Sequence, residues 1–246
     1  MHFLLWPALL LGGFLCGIVN AAAGGGSFLT LPLLMALGLP PQVANATNRV
    51  AITLQCAAGV GTYHRSGVRP WRHLPRVALV AVPGSLLGAF LAARAPEGVF
   101  RPVAAALMLI MAAAVVVKPG RWNRPRPEPR VGGRLLPLFF LIGIYGGFLQ
   151  AGAGVLMISA FVLGAGFDVV HGNALKFSLA LSFTAAALLL FAGFGQVRWL
   201  IGLLLAVGTV AGGIVGARLV MLRGAAWVRG LVLLSALAAA AKLLWR

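Results

Sequence analysis

The sequence predicts an all-α polytopic membrane protein built from two inverted repeats, each with a glycine-broken or re-entrant helix. Three observations carry that prediction. Hydrophobic residues make up 61% of the 246 residues and charged residues only 9%, at a mean hydropathy of +1.00. The apolar residues fall into eight to ten long segments, and most of the sequence motifs occur twice in the same order.

The composition decides the solvent. A soluble domain carries charge on roughly a quarter of its residues, so a chain this apolar needs the bilayer to cover it. Only helices and closed barrels satisfy their backbone polar groups there. Barrel strands alternate in short segments, whereas Val77–Leu91 and Leu179–Phe191 are continuous apolar runs. Helices are therefore expected. The net charge of +17 comes from twenty Lys and Arg against Glu97, Glu128 and Asp168. Most of the basic residues lie between apolar runs, where they orient the chain and meet anionic lipid rather than nucleic acid. Cys16 and Cys56 sit inside apolar segments and read as small packing residues. The first segment, from Phe3, has no Lys or Arg ahead of it and recurs in mid-chain, so it reads as mature structure and not as a signal peptide.

The repeat is collinear. Gly13, Gly17 and the run Asn20–Gly24 recur as Gly143, Gly147 and Gln150–Gly154. Asn45 and Asn48 stand where Asn173 and Lys176 stand; Gly84 and Gly88 match Gly208 and Gly212; Arg94 matches Arg218. The division is a first repeat over 1–117, a Pro- and Arg-rich cytoplasmic linker over 118–133, and a second repeat over 134–246. Prolines deny the linker a helix and charges deny it the hydrocarbon.

Each repeat contains five apolar segments, about 3–22, 27–38, 44–63, 74–93 and 98–117, then 135–151, 154–165, 172–193, 198–217 and 226–245. A spanning helix needs roughly twenty apolar residues. The second segment of each repeat is too short and adjoins glycines, which predicts two helices meeting at a break or a re-entrant hairpin. Arg65, Arg69, Arg72 and Arg76 mark the loop after the third segment as cytoplasmic, as do the linker arginines and, after the ninth segment, Arg218, Arg223 and Arg229. The strongly basic loop thus follows segment three in one repeat and segment four in the other, which predicts that the repeats face opposite ways.

Broken segments within inverted repeats are the sequence pointer to a transporter with its substrate near the midplane. Helix N-termini at such breaks present backbone amides to anions. The candidate substrate-binding residues are Asn20, Gly24, Gly25, Gly26 and Ser27 at the first break and Gln150, Gly152 and Gly154 at the second. Asn45, Thr47 and Asn48 at the start of one helix, and Asn173 and Lys176 at the start of its counterpart, complete the set. Asn45 reads equally well as a helix N-cap. An intramembrane cation such as Lys176 is a functional candidate by default, against the alternative of snorkelling to the interface. Gly84, Gly88, Gly208 and Gly212 read as close-packing residues. Tyr145 adjoins the second break and is a further cavity candidate. Asp168 and His171 read as wet-loop residues, with a proton relay as the alternative.

No catalytic or metal-binding constellation is present in the sequence, and no cofactor is expected: there is no HExxH, no P-loop and no carboxylate pair. The shortage of carboxylates also argues against a metal-cation substrate.

The Gly24–Ser27 run, Pro32, Thr47 and Asn48, with Asn173–Lys176, Gly216–Arg218 and Ala241–Leu244, resemble the TauE/SafE family of membrane proteins, the sulfite exporter family permeases. The resemblance covers nearly the whole chain outside the linker. It implies a multi-pass protein of a bacterial inner (plasma) membrane that moves a sulfur-containing anion, sulfite or an organosulfonate, outward. It also implies seven or eight spanning helices, so that two of the ten segments do not cross. The expected partners are a small anionic substrate and the lipid bilayer, with a homodimer compatible with both. The alternatives are a proton-coupled carrier of another small organic anion, a passive anion channel, and an assembly partner without transport.

Overall fold

The computed structural model describes residues 5–116 and 126–244, so part of the linker, 118–125, lies outside the described residues, as do the side chains of Arg229 and Lys242. Among the described residues every regular element is helical. They are α1 (Leu5–Ala23), α2 (Ser27–Ala36), α3 (Pro41–Arg65), α4 (Leu74–Arg94), α5 (Glu97–Val116), α6 (Leu136–Phe148), α7 (Ala153–Ser159), α8 (Val169–Gly193) and α9 (Trp199–Leu244). Single 3-10 turns, Trp71–His73 and Gly133–Leu135, lead into α4 and α6, and a π-helical turn, Ala160–Gly164, extends α7. Trp71–Arg94, α8 and Trp199–Arg223 are long and apolar enough to cross a bilayer. This is an all-α, multi-pass membrane protein.

Both short segments fold as the second arm of a helical hairpin. A side chain at Gly26 would strike Cys16 and Asn20, and one at Gly12 would reach Leu33, so α2 runs back along α1. Gly146 lies by Ala153 and Gly164 by Leu135, so α7 and its π turn run back along α6. The turns are made by residues that tolerate positive φ: Gly24 at +76° in the first, Gln150 at +66° and Gly152 at +80° in the second. Glycine adopts this region freely. Gln150 is the non-glycine exception among the described residues, and its side chain is held at the site described below.

Two glycine seams order the helices. Gly13 and Gly17 of α1 lie against the backbone of Leu205 and Thr209 in α9, while Gly208 and Gly212 lie against Leu10 and Phe14. Numbers rise together, so α1 and α9 are parallel. In the second seam Gly84 and Gly88 of α4 lie against Phe140 and Ile144 of α6, and Gly143 and Gly147 against Ala81 and Ser85. These helices are parallel too. At each position a Cβ would overlap main chain, so the seams exist because side chains are missing there, as small-residue stripes permit in lipid.

Further contacts assign the remaining directions. Thr47, Val50 and Gln55 of α3 meet Arg198, just before α9, and Gly202 and Gly213 within it, in rising order. Ser85 donates to the Phe183 carbonyl and Gln196, just beyond α8, to that of Ala93, so α4 and α8 also rise together. Against α8, α3 is antiparallel: Arg49 lies by Phe191, Gly59 by Phe177 and Tyr63 by Asn173. Helices α1, α3 and α9 therefore run one way and α4, α6 and α8 the other, and each trio takes helices from both halves of the chain.

One expectation is corrected. The segments 198–217 and 226–245 were expected to be separate, but α9 is a single helix from Trp199 to Leu244. In the first half Pro96 separates α4 from α5. The corresponding stretch of the second half, Arg223–Ala226, holds no proline, and alanine favours helix continuation.

Candidate functional site

The two hairpin turns meet in the interior. Gly24 and Gly154 face each other so closely that a Cβ on either would overlap the other's backbone. A hairpin turn leaves the last carbonyls of its first helix and the first amides of its second without helical partners. Away from water those carbonyls need donors from elsewhere, and here most of the donors come from the opposite half of the chain.

At the first hairpin, α8 supplies them. The Lys176 ammonium donates to the carbonyls of Asn20 at 2.9 Å and Ala21 at 2.8 Å, and Asn173 Nδ2 donates to the Ala21 carbonyl at 2.8 Å and to Tyr63 Oη at 2.9 Å. Asn20 Nδ2 in turn donates to Gln55 Oε1, whose amide donates to the Gly17 carbonyl. At the second hairpin, α3 supplies them. Arg49 donates through Nη2 to the Gly147 carbonyl and through Nη1 to Gln150 Oε1 at 2.9 Å, and Asn45 donates to the Phe148 carbonyl at 2.8 Å. Thr184 donates to the same Gln150 oxygen at 3.0 Å, and Tyr145 donates from its hydroxyl to the Ala151 carbonyl. Each cation also lies near an aromatic ring, Arg49 by Phe191 at 5.2 Å and Lys176 by Phe177 at 4.8 Å.

No carboxylate balances these charges. The chain has three acidic side chains, and Glu97, Glu128 and Asp168 all lie at the surface. Asp168 caps α8 through the amides of Val170 and His171 and pairs with the His171 ring at 2.6 Å. Arg49 is fully buried and Lys176 only 3% exposed. Taking a charge out of water without a counter-ion is costly, and carbonyl oxygens answer only part of that cost.

Between the turns is a cavity with room for about one water molecule. Asn20, Gly24, Gln150, Gly154 and Lys176 line it together with Cys56. The remaining sequence candidates lie elsewhere. Gly25, Gly26 and Gly152 complete the two turns. Ser27 accepts from Asn48 Nδ2 at 3.2 Å, at the start of α2. Asn45 is not the N-cap of α3, which starts four residues earlier with Pro40 as cap; it and Asn173 instead cap the hairpins. Thr47 turns away from the cavity and accepts from the Arg198 amide at 3.1 Å, at the head of α9.

Arg49 is the residue missing from the candidate set. The expected pairing of Lys176 with Asn48 sets the polar position one residue before it. The available signal was an arginine eight residues into an apolar helix, with no acidic residue near it in sequence.

Fold and site together define a polytopic helical membrane protein with two facing hairpins and a buried basic interior. The chain matches the family described as Sulfite exporter TauE/SafE over residues 9–243. It belongs to that family, a family of membrane transporters. It is 32% identical to a probable membrane transporter protein, ORF9, of Sinorhizobium sp, over 99% of this chain and 94% of that one. Identity to the probable membrane transporter protein YfcA of Escherichia coli K12 is 30%, over 98% and 90%. The probable membrane transporter protein YjnA of Bacillus subtilis is 25% identical, over 86% and 88%. No solved structure matches the chain.

Proposed function

We propose that the chain exports a small sulfur-containing anion, sulfite or an organosulfonate, by alternating access to the cavity between the hairpin turns. The observation that carries this reading is the pair of buried cations, Arg49 and Lys176, one at each turn, with no carboxylate inside the protein. An interior of that kind lacks one partner, and an oxyanion supplies it. Lys176 and the amide groups of Asn20 and Gln150 are the side chains at hand, with the backbone of Gly24 and Gly154. The family description supports the sulfur oxyanion in particular. The reading is of a carrier and not of an enzyme. The cavity has no room for anything much larger than water, so a substrate is accommodated only when one hairpin moves.

The division of the chain belongs to the same proposal: an inverted repeat, 1–117 and 134–246, about the linker. Corresponding helices run oppositely, α1 against α6, α3 against α8 and α4 against α9, which supports it. Outward movement of an anion is favoured by a negative interior at about 2.3 kcal/mol per charge per 100 mV, so no coupling ion is required.

The test is flux of sulfite and of methanesulfonate from proteoliposomes under an imposed potential. Saturable flux that follows the potential and is lost in Lys176→Ala is the expected result. Flux untouched by both Lys176→Ala and Ser27→Ala would place the substrate elsewhere.

A further inference from the structure

The two buried cations hold equivalent hairpins in different ways, and the difference assigns them different parts. Lys176 lines the cavity, whereas Arg49 is fully buried behind Gln150. Lys176 also shares its acceptors. The Asn20 carbonyl accepts from the Gly24 amide as well, at 2.9 Å, and the Ala21 carbonyl from Asn173. If the ammonium withdraws, neither oxygen is orphaned. Arg49 has no such freedom: the Gly147 carbonyl has Arg49 as its donor, because the Ala151 amide that an uninterrupted helix would send to it bonds Leu149 instead. Losing a charged donor to a buried carbonyl leaves the full desolvation cost. The side chains suit these parts. An ammonium on a flexible four-carbon stem can re-aim three donors, while a planar guanidinium fixed at two points keeps one geometry.

We propose that Lys176 is a two-position cation. Without substrate it caps the C-terminal carbonyls of α1; when an oxyanion enters, it hands its N–H donors to the anion and leaves the first hairpin held from α8 by Asn173 alone. Arg49 keeps the second hairpin capped throughout, as a positioning residue. This rests on the proposed anion reading and adds to it which charge touches the substrate and which hairpin yields. Two of the three ammonium hydrogens serve the Asn20 and Ala21 carbonyls, so an oxyanion that takes more than one hydrogen draws Lys176 off the α1–α2 turn in the same event.

Hydrogen–deuterium exchange of the full chain in phospholipid nanodiscs, with and without methanesulfonate or sulfite, reads this directly, alongside the anion's effect on Tm. With anion, amides over 20–27 are expected to exchange about tenfold faster or more, the equivalent of one charged hydrogen bond, while those over 147–154 stay unchanged. Lys176→Met is expected to show the fast state without anion and no further response. Arg49→Lys is expected to loosen 147–154 and leave the response of 20–27 intact. If the anion raises Tm in the wild type but slows exchange at 20–27, or speeds both turns alike, the two-position cation is wrong while the anion site stands. If neither anion moves Tm or exchange in the wild type and Lys176→Met still frees 20–27, the anion reading fails and the exchange step with it.

Discussion

Gly24 and Gly154 meet backbone to backbone, so each hairpin turn is the wall against which the other stops. The contact is possible only while both positions lack a side chain. Gly154→Ala, at an ordinary φ, introduces overlap alone, at a cost of roughly 1–3 kcal/mol for overpacking. Gly24→Ala adds the cost of a positive φ, about 1 kcal/mol or more for an L-residue, to the same overlap. Both variants are expected to lower Tm, Gly24→Ala further, and both to reduce flux in proteoliposomes. Equal Tm values would mean that the turn relaxes its backbone at Gly24.

The glycine seams predict a sharp contrast along helices of similar composition. Gly88→Ala and Gly212→Ala each push a methyl group into a carbonyl of the facing helix, and a loss of roughly 1–3 kcal/mol is expected. Gly61→Ala, within α3, meets nothing within 4 Å and is expected to be neutral or to gain about 0.5–1 kcal/mol from helix propensity. Thermal unfolding in detergent orders the three variants.

Arg49→Ala removes donors from the Gly147 carbonyl and from Gln150. The Gln150 oxygen keeps Thr184, but the Gly147 carbonyl is left unsatisfied at about 1–3 kcal/mol, and this is expected to be the most destabilising single truncation at the site. Arg49→Lys retains the charge but not the two-point geometry and is expected to fall between. If Arg49→Ala unfolds at the wild-type Tm, the second hairpin is held by Asn45 and Tyr145 alone.

Thr47→Val removes the acceptor for the Arg198 amide at the head of α9, a capping loss of about 1 kcal/mol. Anion-induced stabilisation is expected to persist in this variant, because the hydroxyl does not face the cavity. Its disappearance would return Thr47 to the binding site.

The helical membrane class and the two breaks were legible in the sequence because they rest on local properties: apolar length, glycine runs and proline stops. The close-packing role of Gly84, Gly88, Gly208 and Gly212 was legible as well, since spacing of four places small residues on one helix face. The polar partners were not. Thr47 in an apolar helix reads as a donor waiting for substrate, yet its partner is a backbone amide 151 positions away. Arg49 is visible as the basic residue directly after Thr47 and Asn48, but the expected register sets Lys176 opposite Asn48 and Arg49 opposite Phe177, so no counterpart marked it as a site residue. The boundary expected within α9 failed for a simpler reason. Arginines at 218 and 223 suggested a loop, but charge alone does not stop a helix where neither proline nor a left-handed glycine interrupts the hydrogen bonding.

The seams carry one more consequence. Each joins a helix of the first half to a helix of the second, α1 to α9 and α4 to α6, through close main-chain contacts. A half of the chain could swing as a body only by unzipping both. The proposed repeats are therefore tied to each other along their backbones: α1 cannot part from α9, nor α4 from α6, without opening a glycine seam, and the hairpin turns are left as the places where movement costs least main-chain contact.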